Sequence, residues 1–191
     1  MKLTKYVSPR FLFALIRNIC LKARYGRAIK INIFKVYFES NVKVSISAGG
    51  SVEIASDGDR VYFTRGTDIV ASGGAIRIGS GTFFNKGCTI VSHSRIDIGE
   101  DVMFGPNCAV YDSDHKCEIQ PTRFRHQGYV MRSVHIGSNV WVGQNSVITK
   151  GAILNDSLVL AANSVARGTL ESGWLHGGSP AKPIKSLLGS Y

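Results

Sequence analysis

Proline is scarce in this chain, at 5 of 191 residues, and aromatic residues make up only 9%. Charged residues are also few, at 19%, against 44% apolar. A disordered or low-complexity chain needs the opposite balance, so there is enough apolar material for a folded core. Glycine is abundant, at 21 residues, but follows no Gly-X-Y register, which excludes collagen. The longest wholly apolar run is the six residues from Phe11 to Ile16, too short to cross a bilayer. A secretory signal fits poorly, because that run is interrupted by Arg17 and no small-residue cleavage site follows. Cys20, Cys88, Cys108 and Cys117 form no CxxC pair, which points to reduced thiols in a cytoplasmic protein rather than a disulfide scaffold. The length suits one domain, or one domain with an appendage.

Acidic residues are nearly missing from one place. Residues 1–40 hold nine Lys or Arg and a single acid, Glu39, so they carry +8 of the net +10. A near-neutral body therefore carries a basic arm. Ser8-Pro9 reads as a helix start, with Ser8 as N-cap, and Gly26 as its stop. Phe11, Leu12, Leu15, Ile16 and Ile19 fall at helical spacing on one face. Arg10, Arg17 and Arg24, seven apart, make a basic stripe on another. Two uses fit this short basic amphipathic helix. Its apolar face caps the body, or the helix makes peripheral contact with the inner membrane face. No recognition motif or aromatic-basic interleaving accompanies the charge, so no nucleic-acid partner is expected.

The body repeats. Ile78-Gly79 is followed at steps of six by Phe84 and Ile90, and Ile98-Gly99 by Phe104-Gly105 and Val110. Ile136-Gly137 is followed by Val142-Gly143, Ile148, Leu154, Leu160 and Ala166. Small residues recur four places after the aliphatic, as at Thr82, Cys88, Cys108, Ser146 and Ala152. Six residues advance a helix by about 600°, which drifts off any single face. Three sides of six residues make an 18-residue coil instead, with Gly or Asn where corners need positive φ. The expected fold is an all-β solenoid whose coils bury a core only by stacking. The expected division is an N-terminal helix and cap over 1–40, the solenoid over 41–175 and a tail over 176–191. From Ile98 to Ile136 there are 38 residues, 20 more than one such coil, so a loop of about 116–135 must be extruded. Extruded loops commonly hold sites.

Four segments carry a family resemblance: Ile98-Gly-Glu-Asp-Val-Met-Phe-Gly-Pro-Asn107, Ile136-Gly-Ser-Asn-Val-Trp-Val-Gly143, Leu160-Ala-Ala-Asn-Ser-Val165 and Gly178-Ser-Pro-Ala-Lys182. Over about Ile76 to Ser186 the chain resembles the hexapeptide-repeat acyltransferases. More narrowly it resembles the sugar and polysaccharide O-acetyltransferases, such as galactoside and maltose acetyltransferases. The resemblance implies a left-handed parallel β-helix, a homotrimer with active sites at subunit boundaries, acetyl-CoA as donor and a sugar or glycan as acceptor.

The resemblance also implies residue roles. The family's catalytic histidine falls on His115, at the end of the strand before the extruded loop. The chemistry agrees, because an imidazole can take a hydroxyl proton as the C–O bond forms and return it to the departing thiolate. Asn85 matches an acceptor-binding asparagine. His93 sits where some relatives carry an acidic acceptor contact, and Asp114 is a candidate orienting or acceptor contact. Alternation aims Asp114 away from the side His115 faces, and backbone carbonyls could fix the imidazole. Trp141, Gly143, Gln144 and Ala162 match the pantetheine channel, and Arg167, Lys182 and Lys185 the basic positions near the CoA phosphates.

Three rivals remain at this level. Zinc hydration through three histidines, as in γ-type carbonic anhydrases, needs a short His-x4-His pair. His93, His115, His126, His135 and His176 do not supply one, so no metal is expected. N-acetylation of an amino sugar differs only in the acceptor. An inactive β-helix scaffold differs in class.

Overall fold

In the computed structural model, residues 9–55, 57–119 and 122–189 are described, without the side chains of residues 9 and 10. The expected N-cap Ser8 lies outside them. Apolar-x-apolar segments become short parallel strands, because alternation turns both apolar side chains to the same side. In Arg95–Ile98, for example, Ile96 and Ile98 are buried while Arg95 is exposed.

These strands stack into three parallel faces of a prism. Face one has seven strands, from Ile29–Lys30 to Thr169–Leu170. Face two runs from Val36–Phe38 to Trp174–Gly178 and gains an antiparallel last strand, Ala181–Ser186. Face three has six strands, from Lys43–Ser47 to Val165–Ala166. Each coil crosses the faces in the order one, two, three.

Register shows how far the 18-residue coil holds. On face one, Ile29 pairs with Val52, Val52 with Ile76, Ile76 with Ile96, Ile96 with Val134, His135 with Ile153 and Ile153 with Thr169. The steps are therefore 23, 24, 20, 38, 18 and 16 residues. The first coils carry extra residues, which is why the period is ragged there. The solenoid also begins earlier than residue 41, since Ile29 and Val36 already lie in its faces.

The core is one column of side chains along the axis. Phe38, Phe63, Phe84 and Phe104 are buried and stack ring on ring, at centroid distances of 4.9, 4.8 and 4.5 Å. Each burial contributes roughly 1.5–3 kcal/mol. Thin walls elsewhere require small residues. At the corner between faces two and three, a Cβ on Gly105 would meet Gln144 N at 2.6 Å, and one on Gly143 would meet Ala162 N at 2.5 Å. At the same corner Asn107, Asn145 and Asn163 all adopt φ near +57°, with φ values of 58°, 57° and 57°. Their amides form a ladder, Asn107 Nδ2 donating to Asn145 Oδ1 and Asn145 Nδ2 to Asn163 Oδ1, both at 3.2 Å.

The helix Pro9–Tyr25 ends before Gly26, whose φ is +53°, and lies across the open end of the first coil. It caps the coil, but not with its apolar stripe. Ala14 and Asn18 are buried against the coil, while Leu12, Ile16 and Ile19 are about half exposed, at 48%, 53% and 50%. Nor do the arginines make one exposed stripe. Arg17 turns inward, donating to Glu39 O at 3.0 Å and to Val42 O, and sits 5.4 Å from the Phe38 ring centroid. The reason is polar. Among the described residues no rung precedes the first coil, and its open carbonyls take donors from the helix. Asn18 Nδ2 reaches Ile33 O at 3.0 Å and Val36 O at 2.8 Å, and the Tyr25 hydroxyl donates to Val44 O at 2.9 Å.

Candidate functional site

Two clusters of side chains stand out, and they lie on different corners of the prism. The first is where face three gives way to face one. The chain leaves the coil here as an antiparallel hairpin, Ser113–His115 against Tyr129–Met131. His115 thus belongs to the hairpin and does not end a coil strand, because the excursion starts two residues before it. Asp112, fully buried at its foot, accepts from Ser92 Oγ at 2.7 Å and from the backbone N–H groups of His93 and Ser94, both at 2.8 Å. A buried carboxylate needs such donors, and these tie the hairpin to the coil below.

The hairpin register sets Tyr129 directly opposite His115. Their ring centroids are 4.4 Å apart, and Tyr129 stacks on His93 at 4.9 Å. One tyrosine ring therefore contacts two imidazoles. His93 Nδ1 is paired with Ser113 Oγ at 2.9 Å, so it is held from both sides. His115 is exposed, with its ring turned out of the prism. No backbone carbonyl among the described residues fixes that ring, contrary to expectation, and Tyr129 is what it rests on. Asp114 is aimed away from His115 by alternation and pairs instead with Lys150. Tyr129, Ser113 and Lys150 have no role in the sequence reading. The signal for them is the pairing of Ser-Asp-His with Tyr-Val-Met inside the insertion, which no hexapeptide period reveals.

The second cluster is a groove of about 640 Å³ at the corner between faces two and three. Trp141, Gly143, Gln144 and Ala162 line it together. It is floored by the turns at Gly105 and Gly143, where an added Cβ would collide with the next rung. Asn85 lines this groove too and is not beside His115. Its Oδ1 accepts from Lys86 N at 2.8 Å, which folds it into a corner turn. Lys182 and Lys185 are exposed on the last strand of face two, where Lys185 pairs with Leu175, a groove residue. Arg167 follows the last strand of face three and so lies on the hairpin's corner, exposed. The structure brings Trp141, Gly143, Gln144, Ala162 and Asn85 into one groove, and His93 and His115 onto one tyrosine. It does not join the two groups within one chain. Among the described residues, no three His, Cys, Asp or Glu side chains gather as a metal site.

No protein-family model matches the chain. A Dictyostelium discoideum protein named as an acetyltransferase is 31% identical over 133 residues, which are 69% of this chain and 68% of that protein. The chain belongs to the hexapeptide-repeat acyltransferases. A second relative, Escherichia coli WbbJ, carries the name of a lipopolysaccharide biosynthesis O-acetyl transferase. It is 25% identical over 201 residues, 97% of this chain and 93% of its own length. A hexapeptide-repeat acetyltransferase of Vibrio cholerae, solved with acetyl coenzyme A, shares the fold. Its TM-score is 0.60 at 22% identity, covering 94% of this chain and 84% of that one. The solenoid is accordingly the left-handed β-helix of the hexapeptide-repeat acyltransferases. The chain spans only about half the length of other curated relatives it matches, 56%, 53% and 58% of three of them.

Proposed function

We propose that this protein moves an acetyl group from acetyl-CoA directly to a sugar hydroxyl, with His115 as general base. The observation that carries this reading is the separation just described. An exposed imidazole stands at one corner and a narrow apolar groove at another, so a single copy does not unite them. A second copy presenting its groove corner to the first copy's hairpin corner does. A homotrimer closes such contacts by rotation, with three equivalent sites. Face two supports an interface as well, because Tyr62, Met103 and Trp141 point outward from it, at 37%, 52% and 51% exposed.

The groove's apolar lining suits the pantetheine arm, and Lys182, Lys185 and a partner's Arg167 supply positive charge for the phosphates. His115 takes the proton of the acceptor hydroxyl as that oxygen attacks the thioester carbonyl. The tetrahedral intermediate collapses, the C–S bond breaks, and the thiolate leaves with the proton from the imidazolium. No acyl-enzyme forms. His93, held by Ser113 and Tyr129, faces the acceptor side. Asn85, in the groove, reaches the acceptor only as the neighbouring copy's residue. Acetyl-CoA as donor sets the work in the cytoplasm. WbbJ's name, together with its near full-length match, favours a cell-surface glycan precursor as acceptor over a free galactoside.

His115→Ala should lower turnover by about 10²–10⁴ while leaving CoA binding by calorimetry intact. Thiol release with panels of hydroxyl and amino sugars separates O- from N-transfer. Unchanged turnover in the variant removes His115 from the mechanism, and no CoA binding in the wild type leaves an inactive scaffold.

A further inference from the structure

The N-terminal helix holds the coil with one stripe and leaves a more apolar one bare. The packed stripe is Phe11, Ala14, Asn18, Leu21 and Tyr25, spaced by threes and fours. On the opposite side Leu12, Ile16 and Ile19 are half exposed, and Phe13 beside them is 58% exposed. Lys22, Arg24 and Arg27 are exposed along its margins. The helix contains no acidic residue, and the first acid in the chain is Glu39. Four large apolar side chains in one contiguous exposed patch are unusual on a free protein surface.

We propose that this face docks on an anionic lipid surface, with the helix lying in the plane of the headgroups. Charge selects the occupant. A second copy of the same face would bring like charges together, whereas anionic headgroups complement Lys22, Arg24 and Arg27 while the acyl boundary takes Leu12, Ile16 and Ile19. The helix lies on the surface and does not cross it, because no helix among the described residues is long and apolar enough to span a membrane. The geometry is compatible with turnover. The helix covers the end of the solenoid, so its bare face points along the coil axis, away from the corners that hold His115 and the groove. An enzyme docked this way keeps both clusters open to a glycan carried at the same surface.

The test is co-sedimentation of the full chain, without substrate, with vesicles of phosphatidylglycerol and phosphatidylcholine or of phosphatidylcholine alone. It is therefore independent of the acyl-transfer reading. The expected result is binding to the anionic vesicles only, weakened by salt as screening shortens the reach of the charges. Leu12→Ser, Ile16→Ser and Ile19→Ser together should lower the partition coefficient at least tenfold with melting temperature and oligomeric mass unchanged. Wild-type protein that stays in the supernatant at low ionic strength overturns the proposal, as does a triple variant that binds equally well. A triple variant with a smaller oligomeric mass makes a second copy the occupant and also overturns it. Should that variant fail to fold, Lys22→Glu, Arg24→Glu and Arg27→Glu together must give the same loss of binding, and undiminished binding refutes the proposal.

Discussion

The two corners that hold the candidate site residues are built by opposite means. Between faces two and three every rung turns through a short, repeated solution. Asn107, Asn145 and Asn163 share one backbone conformation, and Gly105 and Gly143 let successive rungs approach closely. Between faces three and one the chain breaks the repeat with a hairpin, held by a buried carboxylate at its foot and a tyrosine between two imidazoles at its base. Regularity gives an apolar groove lined by residues of successive rungs. Irregularity gives an exposed polar side chain, whose orientation must then be fixed by its neighbours.

The hardest test of this contrast is to disable each corner separately. His115→Ala damages the hairpin corner, and Ala162→Trp fills the groove corner. Each alone should lose activity by about 10²–10⁴ or more. Refolding the two together should restore roughly a quarter of wild-type activity, since random mixing in a trimer gives one intact pair of corners in four. No recovery would place both corners of a working site in one chain.

A smaller loss is expected from Gly143→Ala. Its Cβ would lie 2.5 Å from Ala162 N, so the rungs must part, at about 1–3 kcal/mol, read as a lower melting temperature and weaker CoA binding. Asp112→Asn at the other corner leaves at least one buried donor unpaired. It should cost about 1–3 kcal/mol in a denaturant melt without weakening CoA binding. That difference in CoA binding is what distinguishes a groove corner from a hairpin corner. The mildest change is Tyr129→Ala, which should reduce turnover about 2- to 10-fold, the worth of a ring contact, with Tyr129→Phe near wild type. Loss in both variants alike would assign the effect to the hydroxyl.

The regular corner was legible in the sequence because its rules are local. Isoleucine-glycine steps of six, small residues four places on and asparagine at turns each state their own geometry. The pantetheine-like set Trp141, Gly143, Gln144 and Ala162 accordingly fell into one groove. The hairpin corner was legible only as a surplus of residues. Nothing in the spacing pairs His115 with Tyr129, and nothing separates Asn85 from His115, since both facts depend on register and on which side of the prism a residue meets. The helix is legible only in part, for a related reason. Spacing alone leaves open whether its apolar stripe faces the body or a lipid surface, because it does not register that the unfinished first coil needs hydrogen-bond donors, which Asn18 and Arg17 supply.

The hairpin departs and returns on a single rung. Arg132 N donates to Asp112 O at 2.8 Å, and Gly151 N donates to Arg132 O at 3.1 Å on the next rung up. Residues 113–131 are thus closed off by one main-chain hydrogen bond at the hairpin's foot, and the helical pitch continues past it undisturbed. The excursion is a detachable cartridge. A change of length or composition within it leaves the register of the stack beneath untouched, so this corner of the surface is free to vary while the solenoid stays fixed.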